Sequence, residues 1–227
     1  MNILFWDIDG TIIDTGIAGQ AALDAVFTKH VGGERPTLNM TIGGRTDRYV
    51  AWQFYIAAYK AAPSEAQLDE FISYYEDELC DALIRYKRPV LSNVASILEQ
   101  IDKSDTWENR LFTGNRSRGA KKKLSVYGLE DYFNWSQSIL ADDYITKLEV
   151  AKEIKGKLGL SYADYIEKFI FIGDTIADIN FAHCVGAKSI AVATGACSKN
   201  ALKTANPTIL LDTLPATEEF FQLINTL

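Results

Sequence analysis

The 227-residue chain is poor in sulfur and histidine and has no long apolar run. Its three cysteines, Cys80, Cys184 and Cys197, are odd in number and widely spaced, with no CxxC pair. They offer no disulfide framework, which predicts a reducing cytosol. The two histidines, His30 and His183, have no partners at ligand spacing and read as structural. The N-terminus is apolar only from Ile3 to Trp6 and then runs into acids. A signal peptide is therefore not expected, and no stretch approaches the ~18 apolar residues of a membrane span. Positive charge is also scarce: 23 Lys+Arg stand against 30 Asp+Glu, a net charge of −7. A broad basic face for nucleic acid is therefore not expected. These absences predict a soluble, cytoplasmic protein with no membrane or nucleic-acid partner, and they leave its oligomeric state open.

What is present is a globular composition, 48% hydrophobic and 23% charged. It supplies a sizeable core for one domain with an insertion, or for two small domains. Short apolar runs alternate with longer helical stretches, the pattern of strands joined by crossover helices into a parallel sheet. Ile3-Leu4-Phe5-Trp6, Phe169-Ile170-Phe171-Ile172, Ser189-Ile190-Ala191-Val192 and Thr208-Ile209-Leu210-Leu211 read as strands. Leu111-Phe112 ends a weaker one, since Asn109 and Arg110 suit a central strand poorly. A further short strand is predicted around Trp135 to Ser138, and helices near residues 94–101, 118–126, 148–158 and 176–185. Cys184, inside the last apolar helical stretch, is expected in the core.

Residues 15–88 break the alternation and read as helical throughout. Ser64 and Gln67, directly after Pro63, form a capping-box signal. Leu68, Phe71, Ile72, Tyr75, Leu79 and Leu83 then recur at three- and four-residue intervals, an amphipathic face expected to be core. Trp52, Phe54, Tyr55 and Tyr59 predict a partner helix, and Arg88-Pro89 closes the segment.

The strongest chemical signal is Asp7-Ile8-Asp9-Gly10-Thr11, immediately after the first strand. Ligands of open parallel sheets bind at the carboxyl ends of strands, and Gly10 lets the backbone turn there. Phe171-Ile172-Gly173-Asp174-Thr175, with Asp178 four residues after Asp174, ends a second buried strand in the same way. Asp174 either caps the next helix or joins a site, and Asp178 is either a solvated helical acid or a further ligand. Four clustered carboxylates would repel one another strongly without a cation, and an oxygen-rich, sulfur-free donor set suits Mg²⁺. Thr113-Gly114-Asn115, after the weaker strand, is a turn or an anion cradle. Lys147 draws attention by position alone, between the second and third strand ends. Thr41-Ile42-Gly43-Gly44-Arg45-Thr46 is a loop before a helix, and Arg45 is either a surface cation or a fork for a carboxylate or phosphate.

The ordered set of Asp7-Ile8-Asp9-Gly10-Thr11, Thr113-Gly114-Asn115, Lys147, and Gly173-Asp174-Thr175 with Asp178 resembles the haloacid dehalogenase (HAD) superfamily. The helical insert resembles its subgroup of phosphoglycolate phosphatases and β-phosphoglucomutases. The family lysine is often followed by proline, whereas Leu148 follows Lys147 here, so Lys152 is the alternative. The resemblance implies an α/β fold, with a Rossmann-like parallel-sheet core over residues 1–14 and 89–227 and an all-helical cap over 15–88.

It also implies roles. Asp7 would be the nucleophile of an aspartyl-phosphate mechanism, and Asp9 its acid and then its base. Mg²⁺ would be held by Asp7, the backbone carbonyl of Asp9, Asp174 and Asp178, the last directly or through water. Thr113 and Lys147 would hold the phosphoryl oxygens, with Gly114 and Asn115 beside them, and Arg45 would meet the substrate's far end. Relatives that cleave carbon–halogen or carbon–phosphorus bonds lack the second acid, so Asp9 implies phosphate-ester chemistry. The implied activity is a Mg²⁺-dependent phosphatase for a small phosphorylated metabolite, a phosphoglycolate-like phosphomonoester. The alternative is a β-phosphoglucomutase-like phosphosugar mutase, which shares the core and differs in cap contacts. Intact Asp7, Asp9, Asp174 and Asp178 argue against a non-catalytic binding or regulatory protein on this scaffold.

Overall fold

A computed structural model describes residues 1–40, 43–149 and 166–227. The apolar runs form strands β1 (Asn2–Trp6), β2 (Trp107–Leu111), β3 (Phe169–Gly173), β4 (Lys188–Val192) and β5 (Ile209–Leu211). They pair in one all-parallel sheet ordered β2-β1-β3-β4-β5. The helices are α1 (Ala18–Val26), α2 (Asp47–Tyr59), α3 (Glu65–Arg85), α4 (Val94–Asp102) and α5 (Ser117–Tyr127). After β3 come α6 (Ile176–Val185), α7 (Lys199–Thr204) and α8 (Thr217–Ile224).

Side chains alternate across a strand, so β1 feeds two cores. Leu4 and Trp6 pack with Ile97, Leu124 and Phe220 from α4, α5 and α8, while Ile3 and Phe5 pack with Phe181 and Ala182 of α6. Burial on both faces is why β1 and β3 are continuous apolar runs rather than alternating ones. The β1–β3 register sets Phe5 beside Phe171, and their rings stack at 4.7 Å. β2 tolerates Asn109 and Arg110 because it is the edge of the sheet. Asn109 is nevertheless buried, and its Oδ1 accepts from Trp6 Nε1 at 2.9 Å.

Three expectations are corrected. Trp135–Gln137 is a 3₁₀ turn, not a strand. Ser138 Oγ takes the Leu111 N–H at 2.8 Å, and only Ile139 bridges to Phe112. Cys184 is exposed, because Asp178, Phe181, Ala182 and Val185 occupy the buried side of α6 at helical spacing and leave residue 184 outside. The described part of residues 32–46 is not helical: Gly32, at φ +83°, ends the π-helical turn Phe27–Val31, and Pro36 follows. The expected helix at 148–158 is helical at residues 147–149 and otherwise lies outside the described residues.

The segment from Thr15 to Arg88 has apolar clusters of its own. Leu23, Val26, Phe27, Phe54, Phe71 and Ile72 join α1, α2 and α3, and Ala18, Ala22, Leu79 and Leu83 join α1 to the far end of α3. Burying each large side chain contributes about 1.5–3 kcal/mol. Ser64 and Gln67 complete the capping box at the start of α3. The chain enters and leaves this segment at one place. There Ile13 bridges Val90, and Arg88 Nη1 reaches Asp14 Oδ2 at 2.5 Å. α3 also lies along α5, so the helices cover the carboxyl ends of the strands. Among the described residues no helix is long and apolar enough to cross a membrane.

Candidate active site

The parallel sheet brings the first residues after β1, β2 and β3 to one edge, beneath α1, α2 and α3. Asp7 follows β1 and Asp174 follows β3. One turn into α6, Asp178 completes a buried group whose three carboxylates each offer an oxygen within 4.8 Å of the others. Two glycines make this approach possible. Gly10 has φ +79°, and a Cβ there would stand 2.7 Å from Asp174 Oδ2; a Cβ on Gly173 would stand 2.3 Å from Asp178 Cγ.

Lys147 lies among these acids, 2.8 Å from Asp7 Oδ2 and 2.6 Å from Asp178 Oδ1. The other Asp178 oxygen accepts from the Thr175 N–H at 3.1 Å and from its hydroxyl at 2.6 Å, so Thr175, rather than Asp174, caps α6 and Asp178 completes its capping box. Asp174 Oδ2 accepts from the Ala196 N–H at 2.6 Å. Burial raises the Asp7 carboxyl to about 6 against the pull of Lys147, with Asp178 and Asp9 adding to the rise. Burial, then the charges of Asp7 and Asp178, raise Asp174 to about 7. Three carboxylates around one ammonium leave excess negative charge, and every donor among them is oxygen. Such a set fits a hard divalent cation.

Asp9 faces the same cavity with different partners. Its Oδ2 lies 2.6 Å from Lys123 Nζ and accepts from Asn115 Nδ2 at 2.9 Å; its Oδ1 is 3.4 Å from the Thr15 hydroxyl. Burial acts to raise this carboxyl, but Lys123 and the hydrogen bonds outweigh it and hold it below the usual range. Asn115 also donates to Thr113 Oγ1 at 2.7 Å and accepts from Lys123 at 2.5 Å.

The cavity measures about 550 Å³. Among the sequence candidates, Asp7, Asp9, Arg45, Gly114, Asn115, Lys147 and Asp174 line it. Thr113 and Asp178 are buried just behind the lining, against Asn115 and Lys147. Lys152, Thr41 and Ile42 lie outside the described residues. The exposed Arg45 packs its guanidinium over the Tyr49 ring, 5.0 Å from the centroid. The helical stripe expected as core is mostly that, but Phe71, Ile72, Tyr75 and Leu79 also form cavity wall.

Lys123 and Asp47 were missed. Lys123 is 5% exposed and ends a Lys121-Lys122-Lys123 run that looks solvated. Its signal was helical phase: it lies beside Ala120 and Leu124 on the buried face of α5. Asp47, in the first turn of α2, accepts from the Arg116 N–H at 2.9 Å and is raised to about 6 by burial, with Lys123 opposing.

No curated protein matches this chain in sequence. Solved structures share its whole fold at low identity. A predicted phosphoglycolate phosphatase from Haemophilus somnus is 17% identical with a TM-score of 0.70, covering 98% of this chain and 97% of its own. A protein from Bacteroides vulgatus described as a β-phosphoglucomutase is 16% identical with a TM-score of 0.67, covering 100% and 89%. A magnesium-bound protein from Bacillus subtilis described as a HAD hydrolase is 18% identical with a TM-score of 0.62, covering 99% and 98%, and interdomain movement is reported for it. The family model for haloacid dehalogenase-like hydrolases matches residues 3–192, a span that takes in Asp7, Asp9, Thr113, Lys147, Asp174 and Asp178. The chain belongs to the haloacid dehalogenase-like hydrolase family.

Proposed function

We propose that the protein is a Mg²⁺-dependent phosphoric monoester hydrolase that passes the phosphoryl group of a small metabolite through Asp7. The observation that carries this reading is the cavity floor. A buried strand-end carboxylate is held by Lys147, and a second carboxylate, Asp9, opens onto the same space two residues on. Mg²⁺ held by Asp7, Asp174 and Asp178 would supply the charge neutralisation that lets a carboxylate approach a phosphate dianion. Asp7 attacks phosphorus in line with the leaving oxygen and becomes an aspartyl-phosphate, which water then hydrolyses. Asp9, held ionised by Lys123 in the free protein, would take up the proton brought in by the phosphomonoester monoanion, pass it to the leaving oxygen, and later take one from the attacking water. Lys123 and Asn115 fix its Oδ2, which leaves Oδ1, with the single long contact to Thr15, for that exchange. The Thr113 hydroxyl, whose oxygen accepts from Asn115 Nδ2, and Lys147 would hold the phosphoryl oxygens as charge redistributes, with Gly114 and Asn115 beside them.

Residues 15–88 act as a cap on a core of residues 1–14 and 89–227, hinged at Asp14-Thr15 and Arg88-Pro89. Support comes from the separate apolar clusters, from the adjacent chain crossings tied by Arg88 and Asp14, and from the interdomain movement of the Bacillus subtilis relative. Closing the cap would exclude water from the reaction. Three free cysteines support a reducing, cytoplasmic setting.

The test is release of free phosphate from phosphomonoesters by the purified protein with Mg²⁺. Release should stop on chelation and return with added Mg²⁺. Conversion of a phosphosugar to its isomer without release would favour the mutase instead.

A further inference from the structure

We propose that Asp47 is a positioning residue, through which the helical cap fixes Asn115 and thereby the acid–base residue Asp9. The inference rests on the phosphatase and cap readings above and names the contact that joins them. Asp47 is the first residue of α2, where an acid ordinarily serves its own helix. That role is filled by Thr46, whose hydroxyl oxygen accepts from the Tyr49 N–H at 3.1 Å. Asp47 turns instead to the loop after β2. Its N–H donates to the Gly114 carbonyl at 2.8 Å, and its Oδ2 accepts from the Arg116 N–H at 2.9 Å. Arg116 precedes α5, so its N–H has no partner within that helix. One cap residue therefore holds the backbone on both sides of Asn115. The approach is close: a Cβ on Gly114 would stand 2.5 Å from the Arg45 carbonyl oxygen.

Asn115 is buried, and both ends of its amide are in use. Nδ2 donates to Asp9 Oδ2 at 2.9 Å and to Thr113 Oγ1 at 2.7 Å, and Oδ1 accepts from Lys123 at 2.5 Å. These bonds carry any shift of residues 114–116 to Asp9. A general acid works only within hydrogen-bond reach of the oxygen it protonates, so such a shift falls on proton transfer. With α2 away from the core, residues 114 and 116 lose both Asp47 bonds. Asp9 thus reaches its working position when the cap is seated, which ties proton transfer to closure.

The test compares kcat and KM of the intact protein with Mg²⁺ on two esters: butyl phosphate, whose leaving oxygen needs a proton, and nitrophenyl phosphate, whose leaving oxygen needs little. Asp47→Ala should lower kcat about tenfold for butyl phosphate and less than about threefold for nitrophenyl phosphate, with each KM within about twofold of wild type. Asp47→Asn keeps an oxygen for the Arg116 N–H and should recover most of the loss. Arg116→Pro deletes the same bond from the other side, and φ at Arg116 is −71°, which proline adopts. Compared with Arg116→Ala, which keeps the N–H, it should show the same dependence on leaving group, and it decides the matter should Asp47→Ala fail to fold. No loss, equal losses on both esters, a loss confined to KM, or no recovery with asparagine would overturn the inference and leave the phosphatase reading standing. Release from neither ester by the wild-type protein would overturn both.

Discussion

On the cavity floor, Lys147 stands 2.8 Å from Asp7 and 2.6 Å from Asp178, with side chains between 3% and 8% exposed. Along the seam where α3 meets α5, Arg116 stands 3.1 Å from Asp69 and Lys122 3.3 Å from Asp77, and those carboxylates are 49% and 53% exposed. The groups are alike and the distances similar, so water makes the difference. On the floor, removing Lys147 would leave Asp7 and Asp178 buried without their cation, a loss of about 3–5 kcal/mol. At the seam each pair contributes about 0.2–1 kcal/mol, and salt screens it. The floor is suited to fixed chemistry, and the seam to contacts that are weak singly and screened by salt. Glu76 is the seam's exception. It is 3% exposed, its Oε2 lies 3.3 Å from Arg118, and burial raises its carboxyl.

The sharpest way to break the comparison is at Asp7. Asp7→Asn keeps the shape and loses the nucleophilic charge, so turnover should fall at least about a thousandfold. The melting temperature should hold or rise, since a crowded negative charge is gone. Near-wild-type phosphate release from a clean preparation would remove the floor from the chemistry.

Next in size is Lys123, the buried partner of Asp9. Lys123→Met preserves most of its volume and should slow alkyl phosphates about 10- to 100-fold. Nitrophenyl phosphate, whose leaving group needs little protonation, should slow less. Equal losses on both would make Lys123 structural rather than a positioning residue for Asp9.

Proton linkage separates the two regions again. Asp7, Asp47 and Asp174 are raised to about 6, about 6 and about 7 from a usual 3.8. Across that interval the folded protein holds more protons than the unfolded chain, so without metal its stability should fall as pH rises from about 4 to about 7. Mg²⁺ should flatten the part due to Asp7 and Asp174, and Asp47→Asn the part due to Asp47. Melting temperatures across that range, with and without Mg²⁺, are the check. A metal-free stability that rises with pH would contradict the buried-floor account.

The smallest effect belongs to the seam. Asp77→Asn should change stability by less than about 1 kcal/mol, because that carboxylate is 53% exposed. Raising salt should change KM a few-fold and leave single-turnover chemistry unchanged. A large salt effect on the chemical step would place the seam in the mechanism.

The same contrast explains what the sequence could reveal. β1 and β3, with Asp7-Ile8-Asp9 and Gly173-Asp174-Thr175 after them, are contiguous. A strand buried on both faces and the loop it delivers can be recognised locally. The Ser64–Gln67 cap was legible for the same reason. Lys123 meets Asp9 across 114 residues, and Asp47 meets the Arg116 N–H across 69. Nothing local marks such pairs, since they exist only once α5 and α2 have packed. The strand expected at Trp135 failed because the Ser138 hydroxyl takes the Leu111 N–H that a strand would have claimed. The fate of Cys184 was readable from helical phase, which a count of apolar neighbours ignores.

The central claim is that the phosphoryl group passes through Asp7, and rapid acid quench tests it most directly. Protein mixed with Mg²⁺ and acetyl phosphate is stopped within a single turnover, and the peptide containing Asp7 is weighed by mass spectrometry. The account predicts a phosphoryl adduct on Asp7 that forms and decays fast enough to carry the steady-state rate and is absent from Asp7→Asn. Phosphate released at the full rate with Asp7 never modified would contradict it.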